Sequence, residues 1–210
     1  LYFLDDKISE PVRQEVIDSM YTRAFNPVKD ALQTGQGYTF NWFNNTNNWN
    51  AVCLAGVTSA AVGVIKDRKE RALFVAAAEY YSQNSVLGYA DDGYCTEGLG
   101  YFNYGFQHYI ILREQLYQRT KGAIDLFKGE KMKKIAMYGI NFEIINGAYP
   151  AFADCRIGVT VSPQILWYCN HNLGLGLPAY DQLDSQKLLP SVFTAMLLFP
   201  NTASQNSTPV

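Results

Sequence analysis

Several things are scarce in this chain of 210 residues, and each scarcity closes off a class of function. Its four cysteines, Cys53, Cys95, Cys155 and Cys169, form no CxxC pair, which argues against a zinc site. Histidine occurs twice, at His108 and His171, and no Asp/Glu/His group has ligand spacing, so no metal and no other cofactor is expected. Lys and Arg number 17 against 19 Asp and Glu, a net charge of −2, which makes nucleic acid and anionic membrane unexpected partners. No apolar run reaches about 20 residues, so no membrane span is expected. No signal peptide is visible either. Strand-like alternation is almost missing, with IGVTV at 157–161 the one β-like run.

Aromatics, by contrast, are abundant: 15 Tyr, 12 Phe and 3 Trp, many of them in polar segments beside Asn and Asp. A carbohydrate cleft uses this mixture, because sugar C–H faces stack on rings while amides and carboxylates bond the hydroxyls. A Tyr-rich helical core whose hydroxyls reach partners is the alternative. Cys53 sits in an apolar stretch and reads as a small buried hydrophobe. Cys95 and Cys155 both precede helices, which leaves a disulfide between them open.

The periodicity is helical throughout. Ser9 and Pro11 open a helix, and Val12, Val16, Met20 and Ala24 line one face of it until Asn26-Pro27 breaks it. After a polar and aromatic loop, residues 51–65 are almost all small or apolar, as in a helix buried on every side. Asp67 caps the next helix, which is charged at its start and amphipathic beyond. The pattern recurs: an aromatic helix over 99–119, an amphipathic one over 131–145, another over 163–170, and a last one over 189–199 with Pro190 in its first turn. Three times a polar, aromatic loop leads into an apolar helix, at intervals of about 50–60 residues, just above the usual range for stacked repeats.

Apolar helices paired with amphipathic ones are what an (α/α) toroid requires, with the apolar members inside. The fold class expected is therefore all-α, an incomplete toroid over 1–200 with a flexible tail or linker at 201–210. In such a ring the loops at 38–49, 85–97 and 146–162 open at the same end and converge on one cleft.

The segment 91–109, DDGYCTEGLGYFNYGFQHY, carries most of the chemistry. Glu97, Tyr101, Tyr104 and His108 fall at i, i+4, i+7 and i+11, one stripe of a helix. A carboxylate, two phenols and an imidazole on one stripe make a candidate proton-transfer site. Glu97 stands at the helix mouth, where the dipole favours an anion, and a plain cap-region charge is the equal alternative. His108, deeper in, reads as a core histidine, and His171 lies at the far end of its helix. Asp91, Asp92 and Gly93 form a turn, or else Asp92 and Glu97 pair as a hydrolase's two carboxylates. Arg156 can meet a carboxylate-bearing ligand or pair with Asp154. Trp42, Phe43, Trp49, Tyr89 and Tyr94 are the expected stacking surfaces.

NNWNAVCLAG (47–56) and DDGYCTEGLGYFNYG (91–105) resemble the two segments that mark the toroid domain of heparinase II/III-like and alginate-lyase-type polysaccharide lyases. The resemblance spans roughly residues 40–170. It departs from the family in showing Asn or Trp where relatives carry a His in the first segment, and in offering no candidate for the family's β-sandwich domain. What it implies is β-elimination at a uronic acid in an acidic polysaccharide or oligosaccharide, in a periplasmic or secreted setting. Asn48 and Asn50 would bond the uronate carboxylate and stabilise the enolate. Tyr104, or Tyr101 one turn away, would be base and acid, with Glu97 orienting and Trp42, Trp49, Asp92, Tyr94 and Arg156 binding substrate. Two other readings stay open: a glycoside hydrolase using Asp92 and Glu97, and a non-catalytic carbohydrate-binding or scaffolding piece.

Overall fold

The computed structural model describes residues 7–35, 40–183 and 193, and among them the chain is all-helical with no strand. Two isolated bridges, Tyr89–Cys95 and Ile145–Ala148, close tight loops. The IGVTV run lies in turn and extended backbone outside any strand.

Helix α1 (Glu10–Met20) has Pro11 in its first turn, but the Ser9 side chain makes no capping bond. The expected break at Pro27 does not occur. Instead α1 passes through a π turn (Tyr21–Phe25) directly into α2 (Asn26–Thr34), with the Asn26 N–H donating five residues back to the Tyr21 carbonyl. Proline lacks an N–H and its ring collides with the carbonyl four residues back; widening the helix just ahead of the ring accommodates both defects. The apolar face of α1 is covered only at its end, since Val12 and Val16 are exposed while Met20 and Ala24 pack on the core.

Helix α3 (Asn48–Val64) buries Ala51, Leu54, Ala55, Thr58 and Ala61, whereas Gly56 and Gly63 on its other side are exposed. It is thus packed on one side rather than all round. Its neighbours are α6 (Gly98–Arg119) and α4 (Arg68–Tyr81), which Asp67 caps by accepting the Glu70 N–H at 2.7 Å. A short α5 (Gln83–Leu87) extends α4 towards the next loop. The amphipathic stretch expected over 131–145 is two pieces, α7 (Glu130–Ala136) and α8 (Tyr138–Asn141), divided at Met137. Gly139 lies against the Val161 side chain so closely that no Cβ would fit, so the 146–162 loop crosses the chain there. Helix α9 (Pro163–Leu173) ends at Gly174, whose left-handed φ of 62° suits glycine. Of the helix expected over 189–199 only Phe193, buried and helical, is described; the rest and the 201–210 tail lie outside the described residues.

Contacts fix the helix directions. Asn48 at the start of α3 meets Gly105 in the first half of α6, and Ser162 at the start of α9 bonds Asn103 while Tyr168 and Asn172 reach Arg113. Helices α6 and α9 are therefore parallel, and α3 starts beside the first half of α6. Tyr81 at the end of α4 packs on Phe43 just before α3, and Lys134 of α7 lies against Gly93 just before α6, so α4 and α7 are the return strokes. The core between them is aromatic, with Phe102 and Phe106 stacked at 5.2 Å and fully buried.

At the far end from the polar loops the helices are tied by a charged residue. Arg113, 5% exposed, donates from Nε and Nη2 to the two oxygens of Asp125 at 2.7 and 2.9 Å and from Nη1 to the Tyr168 hydroxyl and Asn172. Its guanidinium sits 4.2 Å over the Tyr117 ring, and Tyr168 in turn bonds Glu114. A buried guanidinium is stable only when its donors are filled.

Candidate functional site

The three polar loops meet around the first two turns of α6. Gly88 lies against the Thr46 carbonyl, and a Cβ on Gly98, at φ +84°, would lie 2.7 Å from the Phe152 carbonyl oxygen. Neither position has room for a side chain, which is why glycine stands at both.

The start of α3 is built by side chains. Asn47 caps it by accepting the Trp49 N–H at 3.2 Å. Glu97, from the next loop, accepts the backbone N–H of Asn48 at 2.8 Å through one oxygen and the Asn48 side-chain amide at 2.6 Å through the other. Glu97 therefore sits at the positive end of α3 rather than serving its own helix alone. Sequence spacing placed it at a helix mouth; which helix it serves depends on packing across 49 positions of chain. Among the described residues the clamp leaves Asn48 with one amide hydrogen and its Oδ1 uncommitted.

Around the clamp stand exposed rings. Trp49 is 59% exposed, Tyr104 49% and Tyr101 36%. Tyr101, Tyr104 and His108 share one face of α6, and Asn48 abuts that face at Gly105. His108 is half-buried rather than a core residue. Its ring meets that of Tyr104 edge to face at 4.7 Å, and its Nδ1 lies 2.7 Å from the Tyr104 carbonyl.

Other expected site residues are spent elsewhere. Asn50 is fully buried, with its amide donating to the Trp42 and Phe43 carbonyls and its oxygen accepting from Ser85. It holds the loop and has no donor left for a ligand. Trp42 is half-buried with its ring 4.1 Å from that of Phe43, itself buried. Tyr94 stacks on Phe152 at 5.7 Å and meets Tyr138 and Phe142 edge-on, so its ring is packed. Tyr89 meets Phe102 and Phe106, and burial raises its phenol well above the ordinary value. Asp92 accepts the Tyr94 N–H at 3.0 Å, closing the turn, and Asp91 reaches Lys131 at 3.7 Å. Asp92 and Glu97 thus serve different neighbours. Arg156 is exposed and makes no ion pair with Asp154 among the described residues.

Beneath the Asn48–Glu97 clamp lies a small, partly open cavity of about 20 Å³, lined by Ala51, Tyr89, Cys95, Phe106 and Tyr109 among others. That is room for one water and too little for a sugar ring. The exposed rings of Trp49, Tyr101 and Tyr104 do not line that cavity and stand outside it. Burial raises the Cys95 thiol to about 11, and all four cysteines are free, so the Cys95–Cys155 disulfide left open above is not formed. Among the described residues no group of three or more His, Cys, Asp or Glu could hold a metal, and no helix is long and apolar enough to cross a membrane.

No protein-family model matches the chain, and no curated protein or solved structure does. The functional reading accordingly rests on the chemistry of the site and on the segments at 47–56 and 91–105.

Proposed function

We propose that the chain is part of an (α/α) toroid of a polysaccharide lyase, heparinase II/III-like or alginate-lyase-type, which cuts a uronate-containing polysaccharide by β-elimination in a periplasmic or secreted setting. Helices α3, α6 and α9 are its inner helices, and α4 and α7 the outer ones. One observation carries the reading: Trp49, Tyr101 and Tyr104 are exposed together beside an Asn48 amide that Glu97 locks in place. Sugars bind to such ring faces, and a fixed amide donor suits a carboxylate.

In elimination the C5 hydrogen beside the carboxylate must leave as a proton while the glycosidic oxygen departs from C4. The uncommitted Asn48 N–H bonds the uronate carboxylate, favouring the enolate form as charge moves onto it. Tyr104 takes the C5 proton and returns one to the leaving oxygen, with Tyr101 one turn away as its neighbour along the stripe. Glu97 is the residue that orients Asn48, and Trp49 a stacking surface.

The test is the product. Elimination leaves a C4–C5 double bond conjugated to the carboxylate, which absorbs in the ultraviolet, whereas hydrolysis yields only a new reducing end. Incubation of the full-length protein with unsulfated uronate polymers should produce that absorbance. New reducing ends without it would move the case to hydrolysis. The geometry speaks against that alternative, because Asp92 is bound to its own turn and both Glu97 oxygens are taken by Asn48. Binding with no cleavage at all would leave a carbohydrate-binding module.

A further inference from the structure

We propose that Arg156 binds a second uronate carboxylate across the Tyr101–Tyr104 stripe from Asn48, and that Asn103 is the residue that positions it there. The inference rests on the uronate reading of the site. Taken around α6 at about 100° per residue, the order is Gly105, Tyr101, Tyr104, Gly100 and then Asn103, with about 140° from Gly105 to Gly100. Each end of that arc lies against another segment. On one side a Cβ on Gly105 would lie 2.8 Å from the Asn48 Cβ; on the other a Cβ on Gly100 would lie 3.9 Å from the Cys155 Cα and Sγ. Between the two contacts Tyr101 and Tyr104 stay exposed. The stripe is therefore the floor of a trough, with the start of α3 as one wall and residues 152–160 as the other. On a helix about 10 Å across, an arc of about 140° sets the walls roughly 10 Å apart. A uronate held by Asn48 at one wall leaves the next part of its chain to the other.

The second wall is pinned at both ends. Phe152 stacks on Tyr94 at 5.7 Å, and its carbonyl oxygen would lie 2.7 Å from a Cβ on Gly98. Asn103 fixes the other end with both halves of its amide: Nδ2 donates to the Thr160 carbonyl at 2.8 Å, and Oδ1 accepts the Ser162 N–H at 3.0 Å. Between the pins Cys155 is half-buried and its neighbour Arg156 exposed, with no ion pair among the described residues. Arg156 is also the only Lys or Arg of the three loops. A guanidinium without a carboxylate of its own, set on the rim of an aromatic floor, suits a ligand carboxylate, which its fork meets with two parallel bonds.

Calorimetric titration of the full-length protein tests this with two probes: an unsulfated oligouronate, and the same oligomer with its carboxyl groups reduced to hydroxymethyl groups. Wild type should bind the oligouronate more tightly. Arg156→Gln should weaken that binding about ten-fold and leave the reduced oligomer within about two-fold of wild type, with Arg156→Lys in between. Asn103→Asp sets an acceptor against the Thr160 carbonyl, and Asn103→Ser removes both bonds without adding charge. Either should weaken the oligouronate selectively and add little to Arg156→Gln, with folding checked by circular dichroism. Equal binding of both probes by wild type, an equal loss on both in Arg156→Gln, or no loss at all would each overturn the subsite. Additive losses in the double variants would overturn the positioning role of Asn103. Product is read separately: binding that depends on Arg156 without any unsaturated product ends the lyase reading and leaves the carboxylate subsite standing.

Discussion

Glu97 and Asn50 look alike in the sequence as polar residues of candidate cleft loops, yet they stand in opposite situations. Glu97 binds Asn48 twice at the edge of the cleft, and Asn50 satisfies three partners in the core. Asn50→Ala strips the bond from the Trp42 carbonyl and from the Ser85 hydroxyl, leaving buried groups unpaired, and should cost about 2–4 kcal/mol in urea unfolding. Glu97→Gln should cost less, about 1–2 kcal/mol, because its oxygen can still serve one Asn48 donor while its NH₂ opposes the other. The same Glu97→Gln change should lower turnover, and a cycle with Asn48→Ala should find the two effects non-additive. Additive losses would mean that Glu97 acts on substrate rather than through Asn48.

Among the elements, α3 and α6 form the frame of the site, and their closeness depends on Gly105. A Cβ there would lie 2.8 Å from the Asn48 Cβ. Gly105→Ala should therefore force the two helices apart, costing about 1–3 kcal/mol despite the better helix propensity of alanine. If stability rose instead, the two helices would not be in the contact described. At the other end of α6, hydrogen bonds from the Arg113 guanidinium hold the Asp125 carboxyl below its usual range. A depressed carboxyl contributes stability that is present above its unfolded value of about 3.9 and is lost as pH falls through its lower folded value. Urea midpoints measured from neutral to acid pH should thus fall below about pH 4 in wild type, with Asp125→Asn less stable at neutral pH and showing less of the acid loss. A parallel acid loss in both proteins would remove Asp125 as its source.

For the whole molecule the charge of the cleft end bears on the substrate. Within the three loops Arg156 is exposed and cationic and Asp91, Asp92, Glu97 and Asp154 are anionic, while Lys131 and Lys134 of α7 stand beside Asp91. A sulfate-dense chain would be repelled over most of this surface, so turnover should be faster on desulfated than on sulfated polymers, and the gap should narrow as salt rises. A clear preference for the sulfated chain would show that cations elsewhere govern binding.

Helix periods were legible in the sequence, because burial of one stripe imprints a 3.6-residue repeat whatever the neighbours are; hence α4, α6 and α9 lie close to where the pattern put them. The Asp67 cap was also readable, since a cap is local, and so was the one stripe shared by Tyr101 and Tyr104; that this stripe faces outward came only from the packing. Local rules failed where a partner distant in the chain decides. Pro27 reads as a stop, but the π turn ahead of it carries the helix on. Asn50 and Asn48 stand two residues apart in one polar motif, and packing buries the first while leaving the second at the surface. The Arg113 node joins α6, the 120–129 loop and α9 through partners 12 to 59 positions away, which no spacing rule reports. The sequence by itself thus determined which segments are helices and which carry aromatic and amide chemistry. Only the tertiary structure decided which of those side chains are consumed in holding the loops together and which remain free, because a hydrogen bond between loops satisfies a donor that a ligand would otherwise meet.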